Sequence, residues 1–247
     1  MQKAIVLAAG QGKRLRSEQA KLPKVMRELG GQPLLWYVLR QIGFIAPEDI
    51  VIVTGFMADV VESRFGGAYT YARQPEQRGT GHAVMQAAAA LAGYDGPVLV
   101  CYGDMPLLQE ETYRRLFHVH ETEGNACTLL CGVSEIPLPY GRVIFDASGR
   151  FAEVVEDRDC TPRQKAIRDL NVGVYVFDAK ALFAALPQLT NRNAQGEYYL
   201  TDVPRAIQDA GGKIGVARTA DVTQILGVNT EEDLARCERI LEEQAGR

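Results

Sequence analysis

Hydrophobic residues in the first half of the chain form short uninterrupted runs that alternate with longer amphipathic segments. The runs are rich in β-branched residues and predict buried strands at residues 4–7, 50–53, 97–102 and 171–177. Helical patterns occupy residues 34–42, 82–91 and 111–120. Because the strand runs are apolar throughout, both faces of the sheet should be covered, as in mostly parallel sheets. We therefore expect a doubly wound α/β domain that binds its ligands beyond the carboxyl ends of the strands.

The second half of the chain departs from this rhythm. Residues 138–177 are typical of β-hairpin structure, with a turn at residues 146–149, and we interpret them as an inserted β-rich region over the substrate site. Thr230 is expected to cap a last helix that has acidic residues in its first turn. That helix carries one apolar stripe, which we expect to pack on its own domain and not on another chain. The stripe consists of Leu234, Cys237, Ile240 and Leu241.

Composition narrows the function classes. The chain has 247 residues, of which 47% are hydrophobic and 23% charged, and no low-complexity linker divides it, so one large domain is expected. A net charge of -4 argues against nucleic acid as a partner. No stretch approaches the roughly 18 apolar residues of a membrane span, and the first apolar run is too short for a signal peptide. Five cysteines without a CxxC pair favour reduced thiols in a cytoplasmic protein.

A glycine-rich loop, residues 7–15, follows the first predicted strand. Its small residues let the backbone approach a phosphate chain, although a tight turn without a ligand is the alternative. A dinucleotide fingerprint would need glycine in place of Leu15, and a Walker A loop would need Ser or Thr in place of Arg14. Cations concentrated here in an acidic protein suit a triphosphate. They are Lys13, Arg14, Arg16, Lys21 and Lys24.

This loop and the following Leu22-Pro23-Lys24 resemble the start of the nucleotide-sugar pyrophosphorylases, the nucleotidyltransferases that make nucleotide sugars. Further segments resemble that family in the same order: residues 74–83, 102–107, 140–142, 155–156, 171–173, 193–202 and 227–229. The similarity covers essentially the whole chain, and in detail it is to uridylyltransferases that act on N-acetylglucosamine 1-phosphate. The resemblance implies the Rossmann-like nucleotide-diphospho-sugar transferase fold. It also implies a division into a nucleotide-binding part (about 1–110), a sugar-binding part (about 111–229) and a C-terminal helix (230–247).

The resemblance further implies a magnesium site. Its ligands would be Asp104, at the end of an apolar strand, and Asn229, both with the hard oxygen atoms that Mg²⁺ prefers. For Asp104 the alternative is a helix cap or turn, and for Asn229 it is an ordinary cap before Thr230. Arg14 and Lys24 are the implied catalytic cations, which would stabilise charge on the phosphates.

Substrate contacts are implied by the same matches. The nucleotide contacts are Leu7, Ala8, Ala9, Gly10, Gly12, Gln74, Gly79, Thr80, Tyr102 and Gly103. The sugar contacts are Gly141, Glu156, Asn171, Tyr199 and Thr201. Thr80 is also predicted as the N-cap of the second helix, and His82 as a packing or hydrogen-bonding residue. For Glu156 the alternative is an exposed charge within an acidic run.

The chain departs from the family at three points. The interval between Arg14 and Lys24 is a few residues longer, so Lys21 competes with Lys24 for phosphate, and Pro23 favours Lys24. Residues 169–173 read DLNVG where the family usually has EINTG, at the segment expected to contact the N-acetyl sugar. The acetyltransferase repeats that follow some family members do not occur in these residues, so we expect uridylyl transfer alone.

The function expected is synthesis of UDP-N-acetylglucosamine from UTP and N-acetylglucosamine 1-phosphate, with Mg²⁺ as cofactor. Transfer from UTP or dTTP to glucose 1-phosphate or another hexose 1-phosphate is the first alternative. A catalytically silent nucleotide-sugar-binding protein is the second. Cytidylyl transfer to a non-sugar alcohol phosphate fits the glycine-rich loop but not residues 193–202. The expected partners are small substrates, without nucleic acid or membrane, and a homo-oligomer is left open.

Overall fold

The protein is described here by a computed structural model that covers residues 1–15, 17, 21–135 and 138–245. Its strands alternate with helices through the first half of the chain. The strands are β1 (Lys3–Ala8), β2 (Glu28–Leu29), β3 (Gln32–Pro33), β4 (Ile50–Thr54), β5 (Thr70–Arg73), β6 (Pro97–Tyr102), β7 (Cys127–Val133), β8 (Arg142–Phe145), β9 (Phe151–Val155), β10 (Asp169–Asp178) and β11 (Ile214–Thr219).

The α-helices range in length from 4 to 15 residues. They are α1 (Leu34–Gln41), α2 (Ala58–Phe65), α3 (Thr80–Gln86), α4 (Glu110–Glu123), α5 (Pro162–Lys165), α6 (Ala179–Ala185), α7 (Val203–Asp209) and α8 (Glu231–Ala245). Among the described residues, none of them is long and apolar enough to span a bilayer.

One large sheet organises the molecule, with the strand order β11-β7-β10-β6-β1-β4-β5. Strands β6, β1, β4 and β5 run parallel to one another, as do β7 and β11. The expected doubly wound, mostly parallel α/β fold is therefore confirmed. β10 is the exception, because it runs antiparallel to both β6 and β7. Its uninterrupted apolar sequence indicates that both of its faces are covered. It does not indicate whether the strand runs parallel or antiparallel to its neighbours.

Two hydrophobic clusters cover the two faces of this sheet. Along β1 the side chains of Val6 and Ile5 are both fully buried but belong to opposite clusters, since successive residues of a strand point to opposite faces. Leu35 of α1 and Leu116 of α4 pack into the first cluster, and Leu182 of α6 packs into the second. This two-sided packing explains why the strand sequences show no alternation of apolar and polar residues.

The inserted region predicted in the second half is a β-hairpin. β8 and β9 pair antiparallel, with Arg142 opposite Val155, and the turn contains Gly149 with φ +80°. Asp146 closes this turn by accepting hydrogen bonds from the backbone nitrogens of Ser148 and Arg150 at 2.8 and 3.0 Å. The hairpin joins the main sheet through β8, which pairs with β10 at Leu170.

The C-terminal helix begins as predicted. The Asp233 nitrogen donates to the Thr230 hydroxyl at 3.2 Å, and the Thr230 nitrogen donates back to Asp233 Oδ2 at 2.9 Å. Its apolar stripe packs on the same domain, against buried residues that include Leu15 and Leu34. This helix therefore braces the base of the glycine-rich loop.

The second predicted helix differs from its prediction. α3 begins two residues earlier, at Thr80, and ends at Gln86, and a separate 3-10 turn covers Ala89–Leu91. Thr80 as N-cap was wrong: Gly79 holds that position, and the Thr80 hydroxyl accepts a hydrogen bond from the Leu200 nitrogen at 3.0 Å. The Thr80 hydroxyl, which the local pattern predicted to cap the helix, is thus bonded instead to a residue 120 positions further along the chain.

All five cysteines are free, as expected, and four of them are buried.

A bulge in β10 shapes the middle of the sheet edge. The pairing register with β7 shifts between Asn171 and Tyr175, and Gly173 in this interval has φ +79°. A Cβ atom at Gly173 would overlap the aromatic ring of Tyr102. The glycine is thus needed for its backbone conformation and for the close approach of that ring.

We expect Gly173→Ala to lower the free energy of unfolding by about 3 kcal/mol or more, because it combines a strained φ with a steric overlap. Gly149→Ala is the matched control, with φ +80° and no atom within 4 Å of its new Cβ. It should cost only about 1 kcal/mol, the penalty of the backbone conformation alone. Urea unfolding of both variants measures the difference, and equal losses would contradict this role for Gly173.

Candidate active site

A cleft of about 690 Å³ opens at the carboxyl edge of the parallel strands, where ligand sites were expected. The register of the sheet creates it. Leu7 lies between Val53 of β4 and Tyr102 of β6, so the loops that follow these strands begin side by side. The Gly103 nitrogen continues the pairing by donating to the Leu7 carbonyl at 2.9 Å.

The glycine-rich loop forms one wall of the cleft. Gly12 has φ +66°, and a Cβ there would lie 2.6 Å from Ser17 Oγ and 2.7 Å from Lys24 Cβ. The Gly12 carbonyl also accepts a hydrogen bond from the Leu15 nitrogen at 3.0 Å. Glycine at this position therefore lets the loop pack directly against Lys24. Arg16 and the side chain of Lys13, which were predicted to add charge here, lie outside the described residues.

Four predicted residues meet in a polar cluster beside this loop. Lys24 Nζ forms an ion pair with Asp104 and donates to Asn229 Oδ1 at 2.8 Å. Arg14 donates to the same Asn229 oxygen at 3.3 Å. All four residues line the cleft, whereas Lys21 is exposed outside its lining. Of the two lysines considered from the sequence, Lys24 is thus the one that reaches the cleft. Hereafter, Arg14, Lys24, Asp104 and Asn229 are called the charged cluster.

Two long-range contacts hold the charged cluster in place. The Val228 nitrogen donates to the Asp104 carbonyl at 3.0 Å, which joins the segment carrying Asn229 to the end of β6. Tyr140 secures the same segment from the other side, since its hydroxyl donates to the Ile225 carbonyl at 2.7 Å and accepts from the Gly227 nitrogen at 2.9 Å. Burial raises the pKa of Tyr140 to about 12, so the hydroxyl keeps its proton.

The donor set of this cluster suits a magnesium ion that shares its coordination with phosphates. Asp104 and Asn229 supply two hard oxygen atoms close enough to contact one ammonium group. Among the described residues, no group of three or more His, Cys, Asp or Glu side chains could hold a metal by itself. Mg²⁺ commonly binds through one or two protein oxygens and completes its shell with water and substrate phosphates. The residues present fit that pattern.

A second wall carries the residues predicted to contact the nucleobase. Gln74 is buried and donates from Nε2 to the Gly79 carbonyl at 3.0 Å. Gly79 has φ +109°, and a Cβ there would lie 2.6 Å from the Tyr198 carbonyl oxygen. Glycine is thus required by the neighbouring backbone even without a ligand. His82 is hydrogen-bonded, as predicted, with Nδ1 3.0 Å from Gln74 Nε2.

Two of the predicted sugar-binding side chains, Glu156 and Asn171, line the cleft beside the inserted hairpin. Glu156 lies just after β9 and accepts a hydrogen bond from the Thr201 hydroxyl at 3.0 Å. It is partly buried, which argues against the exposed charge considered as its alternative. Asn171 is buried, its nitrogen donates to the Gly141 carbonyl at 2.8 Å, and its side chain bonds Tyr175. A carboxylate and an amide so fixed can accept from and donate to sugar hydroxyls.

Four predicted contact residues do not line the cleft, namely Ala8, Gly103, Tyr199 and Thr201. Ala8 points into the core, and the backbone nitrogen of Gly103 is bonded to the Leu7 carbonyl at the cleft edge. Thr201 and Tyr199 lie one layer behind: Thr201 holds Glu156, and the Tyr199 hydroxyl donates to Asp159 at 3.1 Å.

Several cleft residues were not singled out from the sequence. Gln77 and Arg158 are each close in sequence to a predicted site residue, and Tyr140 and Val172 lie within segments that resemble the family. Closeness in sequence to these motifs was the signal that could have identified them. Others in the lining are Gln11, Met105, Pro139, Gln195 and Glu197. Val172 stands where the family usually has threonine and lines the cleft. Asp169, another departure in that segment, is absent from the lining and pairs with Arg218 at 3.2 Å.

The sequence of the chain matches a known protein family over most of its length. The family model of MobA-like NTP transferase domains matches residues 4–206, which include the glycine-rich loop and Asp104. The chain belongs to this family.

Curated relatives of this NTP transferase domain are bifunctional GlmU proteins. The protein from Lactobacillus delbrueckii subsp. bulgaricus is 42% identical over 238 residues, 96% of this chain and 51% of that protein. The protein from Halalkalibacterium halodurans is also 42% identical over 238 residues, with 52% of its length covered. The chain thus spans about half the length of the relatives that it matches.

A solved structure shares the fold. It is a Bacillus anthracis protein assigned as a glucose-1-phosphate thymidylyltransferase, crystallised in complex with a sucrose. The TM-score is 0.73, the sequence identity is 22%, and the match covers 97% of this chain and 95% of that one. The two proteins therefore share a fold over nearly the whole of this chain.

We expect Glu156→Gln to stabilise the substrate-free protein at pH 7. Burial raises the pKa of Glu156, and nearby Asp202 and Asp159 raise it further, against the Thr201 hydroxyl, which lowers it. An acid whose pKa is raised on folding destabilises the fold when ionised, and this cost disappears as pH falls through that pKa. The unfolding midpoint of the variant should exceed that of the wild type at pH 7, and the gap should close toward about pH 4. Thermal scans across this range measure it, and a lower midpoint at pH 7 would contradict it.

Proposed function

We propose that this chain is a magnesium-dependent uridylyltransferase that makes UDP-N-acetylglucosamine and pyrophosphate from UTP and N-acetylglucosamine 1-phosphate. The observation that carries the proposal is the charged cluster, in which Lys24 bridges Asp104 and Asn229 beside the glycine-rich loop. Membership of the NTP transferase family supports nucleotidyl transfer. The identity to about half of each GlmU protein supports this substrate pair.

The reaction joins two anions. A phosphate oxygen of the sugar 1-phosphate attacks the α-phosphorus of UTP, a new phosphorus–oxygen bond forms, and the bond to the β-phosphate breaks to release pyrophosphate. Such a transfer asks the protein for alignment and charge neutralisation, and no covalent intermediate on a side chain is needed. The cleft residues suit these two tasks. They provide positively charged side chains, amide side chains and a glycine-rich backbone that phosphates can approach closely.

Arg14 and Lys24 are the side chains that we assign to charge stabilisation. Both already donate to Asn229 Oδ1, so their positive charges converge on the region bordered by Gly10 and Gly12. A phosphate chain laid along the loop would exchange these protein contacts for contacts with its own oxygens. A magnesium ion held by Asp104 and Asn229 would supply further neutralisation of the phosphates.

The two walls of the cleft support a division of labour. Residues assigned to the nucleotide, such as Gln74 and Gly79, come from the part before about residue 110. Those assigned to the sugar, such as Gly141, Glu156 and Asn171, come from the later part. We therefore keep the division into parts 1–110, 111–229 and 230–247, the last of which contains helix α8 beside the loop. The partly buried Glu156 carboxylate, which Thr201 holds in place, offers acceptor oxygens to sugar hydroxyls.

The alternative substrate pairs differ in features that the cleft could distinguish. Val172 presents methyl groups where the family usually has a threonine hydroxyl, which lowers the number of hydrogen-bond donors near the sugar and leaves glucose 1-phosphate as the second candidate. dTTP differs from UTP at the base by one methyl group. A silent binding protein is less well supported, because all four members of the charged cluster are present and mutually bonded.

A pyrophosphate-release panel tests the proposal. UTP, dTTP, CTP and ATP are each paired with N-acetylglucosamine, glucose, galactose and mannose 1-phosphates, with Mg²⁺ and with EDTA. We expect the highest kcat/KM for UTP with N-acetylglucosamine 1-phosphate and loss of turnover in EDTA. Turnover that persists in EDTA, or none with any pair, would overturn the mechanism, and a different preferred sugar would redirect the specificity alone.

We expect Asp104→Ala to lower kcat by more than about two orders of magnitude, a scale typical of lost metal electrostatics. It also leaves Lys24 without its ion-pair partner in the cleft. Asp95→Ala is the control, since Asp95 is exposed before the opposite end of β6. Steady-state kinetics over a range of Mg²⁺ concentrations measure both variants. Near-normal rates in Asp104→Ala would remove this residue from the assigned metal ligands.

A further inference from the structure

Arg27 lies next to the glycine-rich loop, outside the cleft lining, and has no part in the mechanism above. It follows the 3-10 turn Lys24–Met26, and its backbone nitrogen donates to the Lys24 carbonyl at 3.1 Å. The side chain is charged, yet only 19% of its surface is exposed. A charge in such a position needs partners, and the partners of Arg27 indicate what the residue does.

The guanidinium group contacts two segments that are distant in sequence. Nη1 donates to the carbonyl of Leu15, the last residue of the glycine-rich loop, at 2.9 Å. Nη2 lies 2.8 Å from each carboxylate oxygen of Glu231, in the first turn of α8. A guanidinium group can serve both partners at once, because its N–H groups point in fixed directions from a rigid plane. The contacts of Arg27 with Leu15 and Glu231 are called the Arg27 clasp.

Each end of the clasp is close in sequence to a member of the charged cluster. Leu15 follows Arg14, and Glu231 comes two residues after Asn229. The connection from Glu231 to Asn229 is rigid, since Asp233 in the same helical turn accepts from the Asn229 nitrogen at 2.9 Å. Loss of the clasp would therefore change the position of Arg14 relative to Asn229, to which it now donates at 3.3 Å.

Apolar packing supports the same junction. Leu15 is fully buried in a cluster that includes Val228 and Cys237. Such packing brings the loop and the helix together, but it is non-directional and does not orient the loop backbone. The hydrogen bond from Arg27 to the Leu15 carbonyl has a defined geometry. The clasp thus adds orientation to a contact that burial alone leaves adjustable.

We propose that Arg27 is a positioning residue that orders the glycine-rich loop for the triphosphate of the nucleotide, by tying this loop to the segment that carries Asn229. The inference rests on the proposed nucleotidyl transfer and deepens it. The loop backbone and Arg14 are the groups assigned to the phosphates. A loop that is competent for only a fraction of the time weakens binding by that fraction. Loss of the clasp should therefore weaken nucleotide binding and leave the sugar side, which other segments form, unchanged.

Three variants and a control isolate the clasp. Arg27→Met removes both contacts and keeps an unbranched apolar chain. Glu231→Ala removes the ion pair alone, and the double variant shows whether the two residues act together. Glu232→Ala is the matched control, because Glu232 is also an exposed acid in the first turn of α8 and Arg27 pairs with its neighbour. For each we measure the KM of UTP and of the sugar 1-phosphate, the thermal unfolding midpoint, and hydrogen exchange of residues 7–15 without substrate.

We expect the KM of UTP to rise about tenfold in Arg27→Met, as when the competent population of the loop falls to about one tenth. Glu231→Ala should raise it only about threefold, because the bond to Leu15 remains and the ion pair is partly exposed. The double variant should equal Arg27→Met, and the control should equal the wild type. The KM of the sugar 1-phosphate should stay within about twofold throughout. Hydrogen exchange of the loop should be fastest in Arg27→Met and in the double variant.

Two results would overturn the inference. A folded Arg27→Met with an unchanged KM for UTP excludes the positioning role. Equal rises in KM for both substrates, or a double variant whose effect is the product of the single effects, would assign Arg27 to general stability. If Arg27→Met does not fold, Arg27→Lys takes its place. It keeps the charge without the planar fork, and the expected rise in the KM of UTP is then about threefold.

Failure of the proposed function gives a different result. If the wild type turns over no substrate pair, nucleotidyl transfer fails by itself. The clasp is then tested by equilibrium binding of UTP with Mg²⁺ and by hydrogen exchange of residues 7–15, neither of which needs turnover. Weaker binding by about tenfold and faster exchange in Arg27→Met support the inference. Unchanged values overturn it.

Discussion

The structure depends on one constraint: an ammonium group, a carboxylate and an amide oxygen must meet at one point of the cleft. Strand β6 leads to the carboxylate, and two segments distant in sequence supply the ammonium group and the amide oxygen. Lys24 contacts both Asp104 and Asn229, although Asn229 lies 205 residues further along the chain. The parallel register of β4, β1 and β6 sets the first half of this geometry. The bond from Val228 to Asp104 and the two bonds of Tyr140 set the second half. The cost of burying charge near a strand end is offset because each charged atom has a partner.

Glycines at three positions allow the backbones around this point to come close enough. Gly12 makes room for Lys24, Gly79 for the Tyr198 backbone, and Gly173 for the Tyr102 ring, and each has a positive φ. They come from three different segments of the chain, and all three line the cleft. A side chain at any of them would force the neighbouring segments apart. The backbone therefore determines the shape of the cleft in the absence of substrate.

The sequence was sufficient for features that depend on local pattern. It predicted the buried strands, the hairpin and the cap at Thr230, because each follows from periodicity or from turn and cap chemistry. It was insufficient where a distant partner decides. The antiparallel direction of β10, the bond between Thr80 and Leu200, and the position of Thr201 behind Glu156 all depend on pairing across the fold. The roles assigned to individual site residues remain predictions.

The central claim is that the charged cluster binds a divalent cation together with the triphosphate of a nucleotide. A crystal grown with Mn²⁺ and a non-hydrolysable UTP analogue tests it most directly, since Mn²⁺ can be located by its anomalous scattering. The account predicts an anomalous peak bonded to Asp104 and Asn229, with the phosphates along residues 7–14 and Lys24 turned to a phosphate oxygen. A peak elsewhere, or a triphosphate away from this loop, would contradict it.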